Sequence, residues 1–149
     1  MNDTIEREIF IEAGIDRVWS LVSKAGFWVG DEVRFEHDVP PGETVVIETV
    51  EYGHFPVRVE HFDPPHRAVY TWASGFPNTE LSASNSTRVE FTLTEQDGGV
   101  LVRVCESGFS KLDGTPDFRS RNLADNTAGW KAQMQSLRDA GEAKVAPQP

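Results

Sequence analysis

Cysteine is nearly absent: Cys105 stands alone in 149 residues. A single thiol excludes an intramolecular disulfide framework and fits a reducing compartment. Basic residues are scarce, with 14 Lys and Arg against 24 Asp and Glu and a formal net charge of −10. Phosphate backbones need a clustered basic face, so nucleic acid is not an expected partner, and an anionic membrane surface is disfavoured. No apolar run approaches the ~20 residues that a membrane helix needs, so no membrane insertion is expected. Met1-Asn2-Asp3-Thr4 lacks the basic and apolar regions of a signal peptide, which makes the cytoplasm the expected compartment. Phosphate loop, dinucleotide fingerprint and nucleophile elbow are all missing, and Asp97-Gly98-Gly99 is hairpin-turn chemistry. His37, His54, His61 and His66 show neither helical pairing nor a carboxylate at ligand spacing. With one cysteine beside them, no metal and no cofactor is expected.

What is present is apolar patterning. Ile5 to Ile11 alternates as a first strand, and Asp16 to Ser23 has the spacing of a short helix with Val18, Trp19, Leu21 and Val22 on its apolar face. Lys24 to Gly30 is an apolar turn carrying Phe27 and Trp28. Six strands are then expected, over Val33–His37, Thr44–Val50, Val57–Phe62, Ala68–Ala73, Arg88–Glu95 and Val100–Phe109, separated by Pro- and Gly-rich turns. Leu123, Trp130 and Leu137 recur every seven residues with Met134 between, which predicts a helix from about Asp117 to Ala140. Asp113, Thr115 and Asp117 are candidate caps and Gly141 the expected terminator. Strands segregated from helices point to an α+β domain over residues 1–141, with a curved antiparallel sheet closed by the long helix. Residues 142–149 are expected to be a disordered tail.

Any pocket is then expected between sheet and helix. Trp28, Trp72 and Trp130, on rim, sheet and closing helix, either line it or fill the core. Glu106 follows Val102 and Val104 on an inward alternation, so it is either desolvated, with a raised pKa, or just past the core edge in solvent. Asn126 lies one helical turn before Trp130, so its amide is expected to bond either a ligand or a nearby carbonyl. Tyr70 and His54 are further candidates to orient a ligand, and inward-facing Phe91 and Met134 complete the expected lining. Cys105, opposite Val104 and without a base, is expected to be inert.

The run Asp63-Pro64-Pro65-His66-Arg67-Ala68-Val69-Tyr70-Thr71-Trp72 resembles the hairpin signature of a known family. So do Arg88-Val89-Glu90-Phe91-Thr92-Leu93, Ser107-Gly108-Phe109, Gly129-Trp130 and the segment Ile9 to Leu21 with Val18-Trp19. The family is the one named for the activator of the ninety-kilodalton heat-shock chaperone ATPase, within the START-like (SRPBCC) superfamily. The resemblance implies a helix-grip fold with a hydrophobic cavity, in which relatives bind apolar molecules and a few, polyketide cyclases among them, catalyse cyclisation. Lys24 to Gly30 departs from the pattern, its second short helix and paired tryptophans being reduced to Phe27-Trp28. Chaperone activation is not carried over. The expected function is binding of a small, largely hydrophobic molecule by a monomer or homodimer. The alternatives are a cyclase or aromatase with Glu106 or His54 as base and Asn126 holding an oxyanion, or a protein-interaction module.

Overall fold

The computed structural model describes residues 3–143, so most of the expected tail, from residue 144 onward, lies outside the described residues. Its elements are β1 (Thr4–Ile11), α1 (Ile15–Val22), β2 (Thr44–Thr49), β3 (Gly53–Asp63), β4 (Arg67–Trp72), β5 (Thr87–Gln96), β6 (Gly99–Ser107) and α2 (Pro116–Glu142). The six strands form one antiparallel sheet in the order β1-β6-β5-β4-β3-β2. One face is packed by α2 and α1, the arrangement of a helix-grip fold, and alternation decides which side chains enter that core. In β6 the inward set is Val100, Val102, Val104 and Glu106, and in β5 it is Thr87, Val89, Phe91 and Leu93, all buried.

Two expectations about elements are corrected. Val33–His37 forms no strand: its backbone turns back on the preceding segment through Ala25 N–H to His37 O (3.0 Å) and Arg34 N–H to Phe27 O (3.1 Å). Without a ladder to join, this stretch clamps the loop that carries Phe27 and Trp28, and Phe35 stacks on Phe27 with centroids 5.3 Å apart. Gly141 does not end α2, which continues to Glu142. A Cβ there would lie 2.8 Å from Ile11 Cγ2, so the missing side chain admits β1 against the helix. At the other end Thr115 is the cap, its hydroxyl accepting Phe118 N–H, with Pro116 at the first helical position.

Cys105 faces the outer surface of β6 and is half-buried. Burial, then the charge of Glu6, push its thiol above the usual 9.0. Alkylation by iodoacetamide at about pH 8 should run slower than for a free thiol, because the thiolate is the nucleophile. A rate equal to that of free cysteine would show that the thiolate is stabilised after all.

Candidate functional site

The two halves of α2 sit differently on the sheet. From Trp130 onward the helix buries Trp130, Gln133, Met134, Leu137 and Gly141, whereas before it only Asn122 is buried. The polar half therefore stands over the end of the sheet rather than sealing it, and a cavity of about 460 Å³ opens there. Trp28, Trp72, Trp130 and Phe55 give it aromatic walls, and α2 supplies Asn122, Asp125, Asn126, Gly129 and Gln133, residues brought to one helix face by the 3.6-residue period. Ser74, Gly75 and Pro77 of the loop after β4, with Tyr52 of the β2–β3 turn, complete the rim.

Beneath this floor lies Glu106, 0% exposed. Its Oε2 accepts Thr87 Oγ1–H (2.5 Å) and Trp72 Nε1–H (2.8 Å), and its Oε1 accepts Trp130 Nε1–H (2.8 Å). The amide of Asn126 donates to both oxygens, at 3.1 and 3.3 Å. Strand register places the parts: Trp72 lies opposite Thr87, and Val89 opposite Glu106. The carboxyl thus ties two cavity tryptophans and an α2 amide to the sheet. Burial pushes its pKa above the ordinary 4.5, against these donors, which lower it. A carboxylate accepts only, so the Asn126 amide must turn its nitrogen inward and its carbonyl oxygen away from Glu106.

Trp28 is held from both sides. Its backbone oxygen and that of Gly30 accept the two protons of Gln133 Nε2 at 3.0 and 2.8 Å. Its ring packs on Tyr70, Trp130, Phe91 and Trp72 with centroids 5.0 to 5.9 Å apart. Trp28, Trp72 and Trp130, at 4, 9 and 3% exposure, are core and cavity wall at once, although the sequence posed these as alternatives.

Of the nine residues expected to line the cavity, Trp28, Trp72, Asn126 and Trp130 do so, and Glu106 lies one layer below through its bonds to three of them. Four do not reach it. His54 points to the outer face of β3, more than half exposed and 3.8 Å from Glu48, because strand alternation sends its neighbour Phe55 inward instead. Tyr70 is buried deeper and donates its hydroxyl to Val22 O at the end of α1 (2.6 Å), and burial pushes its pKa up. Phe91 and Met134 are core residues. Asn122, one turn before Asn126, and Gly129, beside Trp130, are legible from the sequence on this helix face, whereas Asp125 and Gln133 carry no signal there beyond their spacing from Asn126 and Trp130. Tyr52 and the rim residues Ser74, Gly75 and Pro77 carry no sequence signal, for they belong to turns whose path the strand pairing sets, and Phe55 enters through the register of β3 with β2.

The family model described as "Activator of Hsp90 ATPase homolog 1-like protein" matches residues 12–142. No curated protein matches the chain. Among solved structures, protein MLL2253 from Mesorhizobium loti is similar, with a TM-score of 0.70 at 20% identity, covering 92% of this chain and 95% of that one. The Aha1 dimer from Colwellia psychrerythraea gives 0.68 at 20%, covering 93% and 96%. DynU16, from the dynemicin biosynthetic locus, gives 0.67 at 21% over 93% of this chain, which spans only 46% of DynU16. At such identities the likeness is one of fold. No described helix is long and apolar enough to cross a membrane. With the model match running from the end of β1 to the last residue of α2, the chain belongs to the family of Activator of Hsp90 ATPase homolog 1-like proteins.

Proposed function

We propose that this protein binds a small, largely hydrophobic molecule in the cavity between the sheet and α2. The observation that carries the reading is Gly129. It sits inside a 27-residue helix, where glycine costs about 1 kcal/mol relative to alanine. No neighbouring group demands it, since a Cβ there would meet nothing within 4 Å. Gly129 lines the cavity at an exposed part of the helix, so its missing side chain leaves open space at the cavity's edge. The volume falls within the roughly 300–1,000 Å³ of small-molecule sites, and the indole walls supply the apolar contact that drives such binding. Glu106 and His54, the bases of a cyclase reading, are both absent from the lining, which favours binding over proton transfer. A homodimer has a precedent in the Colwellia Aha1.

The test uses the neutral probe N-phenyl-1-naphthylamine, read through its own emission and that of the cavity tryptophans, with native mass spectrometry for a co-purified molecule. Gly129→Ala should raise stability by about 1 kcal/mol. Gly129→Leu should fold equally well yet weaken probe binding at least about tenfold, by filling the space. Wild type that binds no probe, or a Leu variant that binds it undiminished, would place the ligand elsewhere.

A further inference from the structure

The cavity's walls have largely spent their hydrogen-bond donors. Both protons of Asn126 Nδ2 go to protein acceptors, to Ser74 Oγ (2.6 Å) and to Glu106. Both protons of Gln133 Nε2 go to the backbone oxygens of Trp28 and Gly30. The indole N–H groups of Trp72 and Trp130 end on Glu106, and that of Trp28 is buried without an acceptor. Tyr52 gives its hydroxyl proton to Asp31 (3.1 Å), Ser74 gives its own to Asn122 Oδ1 (3.3 Å), and Asn122 returns an amide proton to Ser74 O (3.1 Å). What the lining keeps uncommitted are the side-chain carbonyl oxygens of Asn126 and Gln133, which accept none of the described hydrogen bonds, the exposed carboxylate of Asp125 and the aromatic rings. No Lys, Arg or His is among the lining residues.

The surface beside the cavity has the same polarity. A neighbouring depression shares Val29, Gly30 and Tyr52 with the cavity and carries Asp31, Glu32 and Glu51. The hydrogen bond to Asp31, and then its charge, hold Glu51 above the ordinary carboxylate range, a mark of crowded negative charge. Arg34, the cation in that depression, is committed to Glu48 O (2.5 Å) and Glu36 (3.7 Å).

Taking the cavity as the ligand site proposed above, we infer that its ligand is an aromatic cation, a flat apolar molecule bearing a quaternary ammonium or a protonated amine. Ring faces attract cations through their quadrupole, most strongly those of tryptophan. Carbonyl oxygens and the Asp125 carboxylate stabilise the same charge, and the acidic depression beside the cavity raises its local concentration. A carboxylate ligand would meet the reverse: no free side-chain cation, few free donors and repulsion from Asp125. The amides are turned this way by Glu106, which forces the Asn126 nitrogen inward, and by the carbonyls of Trp28 and Gly30, which do the same to Gln133.

Three compounds of one shape test this: phenyltrimethylammonium, its uncharged isostere tert-butylbenzene, and 4-tert-butylbenzoate. Each is titrated at low salt and followed by tryptophan emission and ligand-observed NMR. The cation should bind at least about tenfold tighter than the isostere and weaken as salt is added, and the benzoate should bind least. Asp125→Asn, which keeps the shape and removes the charge at an exposed helix position, should lower the affinity for the cation several-fold and that for tert-butylbenzene by much less. If tert-butylbenzene or the benzoate binds as well as the cation, the charge preference is wrong and the cavity remains a ligand site. If none of the three perturbs the tryptophans or broadens its own resonances, both readings fall.

Discussion

Glu106→Leu should lower the stability of the folded chain by about 2–6 kcal/mol, from two orphaned indole N–H groups at roughly 1–3 kcal/mol each. Leucine is close in volume, so the loss would report hydrogen bonding rather than a void. Thr87 and Asn126 have side chains that can turn to other acceptors, but the Nε1–H groups of Trp72 and Trp130 are fixed in buried rings and each makes its hydrogen bond to Glu106. Glu106→Gln, which from sequence alone reads as a change that keeps shape and removes charge, should also destabilise, by about 1–3 kcal/mol. Each carboxyl oxygen takes an indole N–H, so an amide NH₂ faces a second donor whichever way it is turned. Urea denaturation of the three proteins measures both effects, and coincident midpoints would show that the carboxyl holds nothing.

The pH dependence has a definite sign. Burial holds Glu106 above 4.5 in the folded chain, so folding favours the protonated group. Its contribution is fully present below the unfolded value and is lost as the pH rises through the folded one. The stability gap between wild type and Glu106→Leu should therefore narrow as the pH rises above the ordinary carboxylate value of 4.5. Glu90 runs the other way: burial would raise its pKa, but the pairs with Arg67 and Arg88 bring it below the ordinary value. Because Glu90 is present in both proteins, its effect cancels from the difference. A gap that widened with pH would mean that the four donors outweigh burial.

Trp130→Ala should cost about 3–5 kcal/mol, the usual range for a large buried aromatic. Trp130 is 3% exposed, packs on Trp28 and Phe91 with centroids 5.7 Å away, and donates to Glu106. Trp130→Phe separates the terms, for it keeps most of the ring and removes the donor. It should cost about 1–3 kcal/mol, and far less in the Glu106→Leu background, where the acceptor is already gone. Equal losses in both backgrounds would mean that the ring alone matters. An unchanged melting midpoint for Trp130→Ala would mean that α2 does not close the sheet.

The sequence by itself determined the periodic parts of this protein. Alternation through Val100, Val102 and Val104 and through Val89, Phe91 and Leu93 placed these side chains on one face, and the heptad through Trp130 and Leu137 predicted the helix, because burial on one face leaves a period in the sequence. It left Glu106 either desolvated on that inward alternation or past the core edge in solvent, and Asn126 on the helix stripe with either a ligand or a carbonyl as partner. Only the tertiary structure decided what those two groups meet. The partners of Glu106 come from β4, β5 and α2, elements apart in sequence, so no local spacing announces them. The extended stretch Val33–His37 has strand-like residues, yet its backbone bonds go to the Trp28 loop, a choice made by long-range packing. His54 and Phe55 exchange faces on a one-residue difference in register, which the turn at Tyr52-Gly53 sets. The direction of the Asn126 and Gln133 amides, and with it the polarity of the cavity, follows from acceptors up to 105 residues away in the chain.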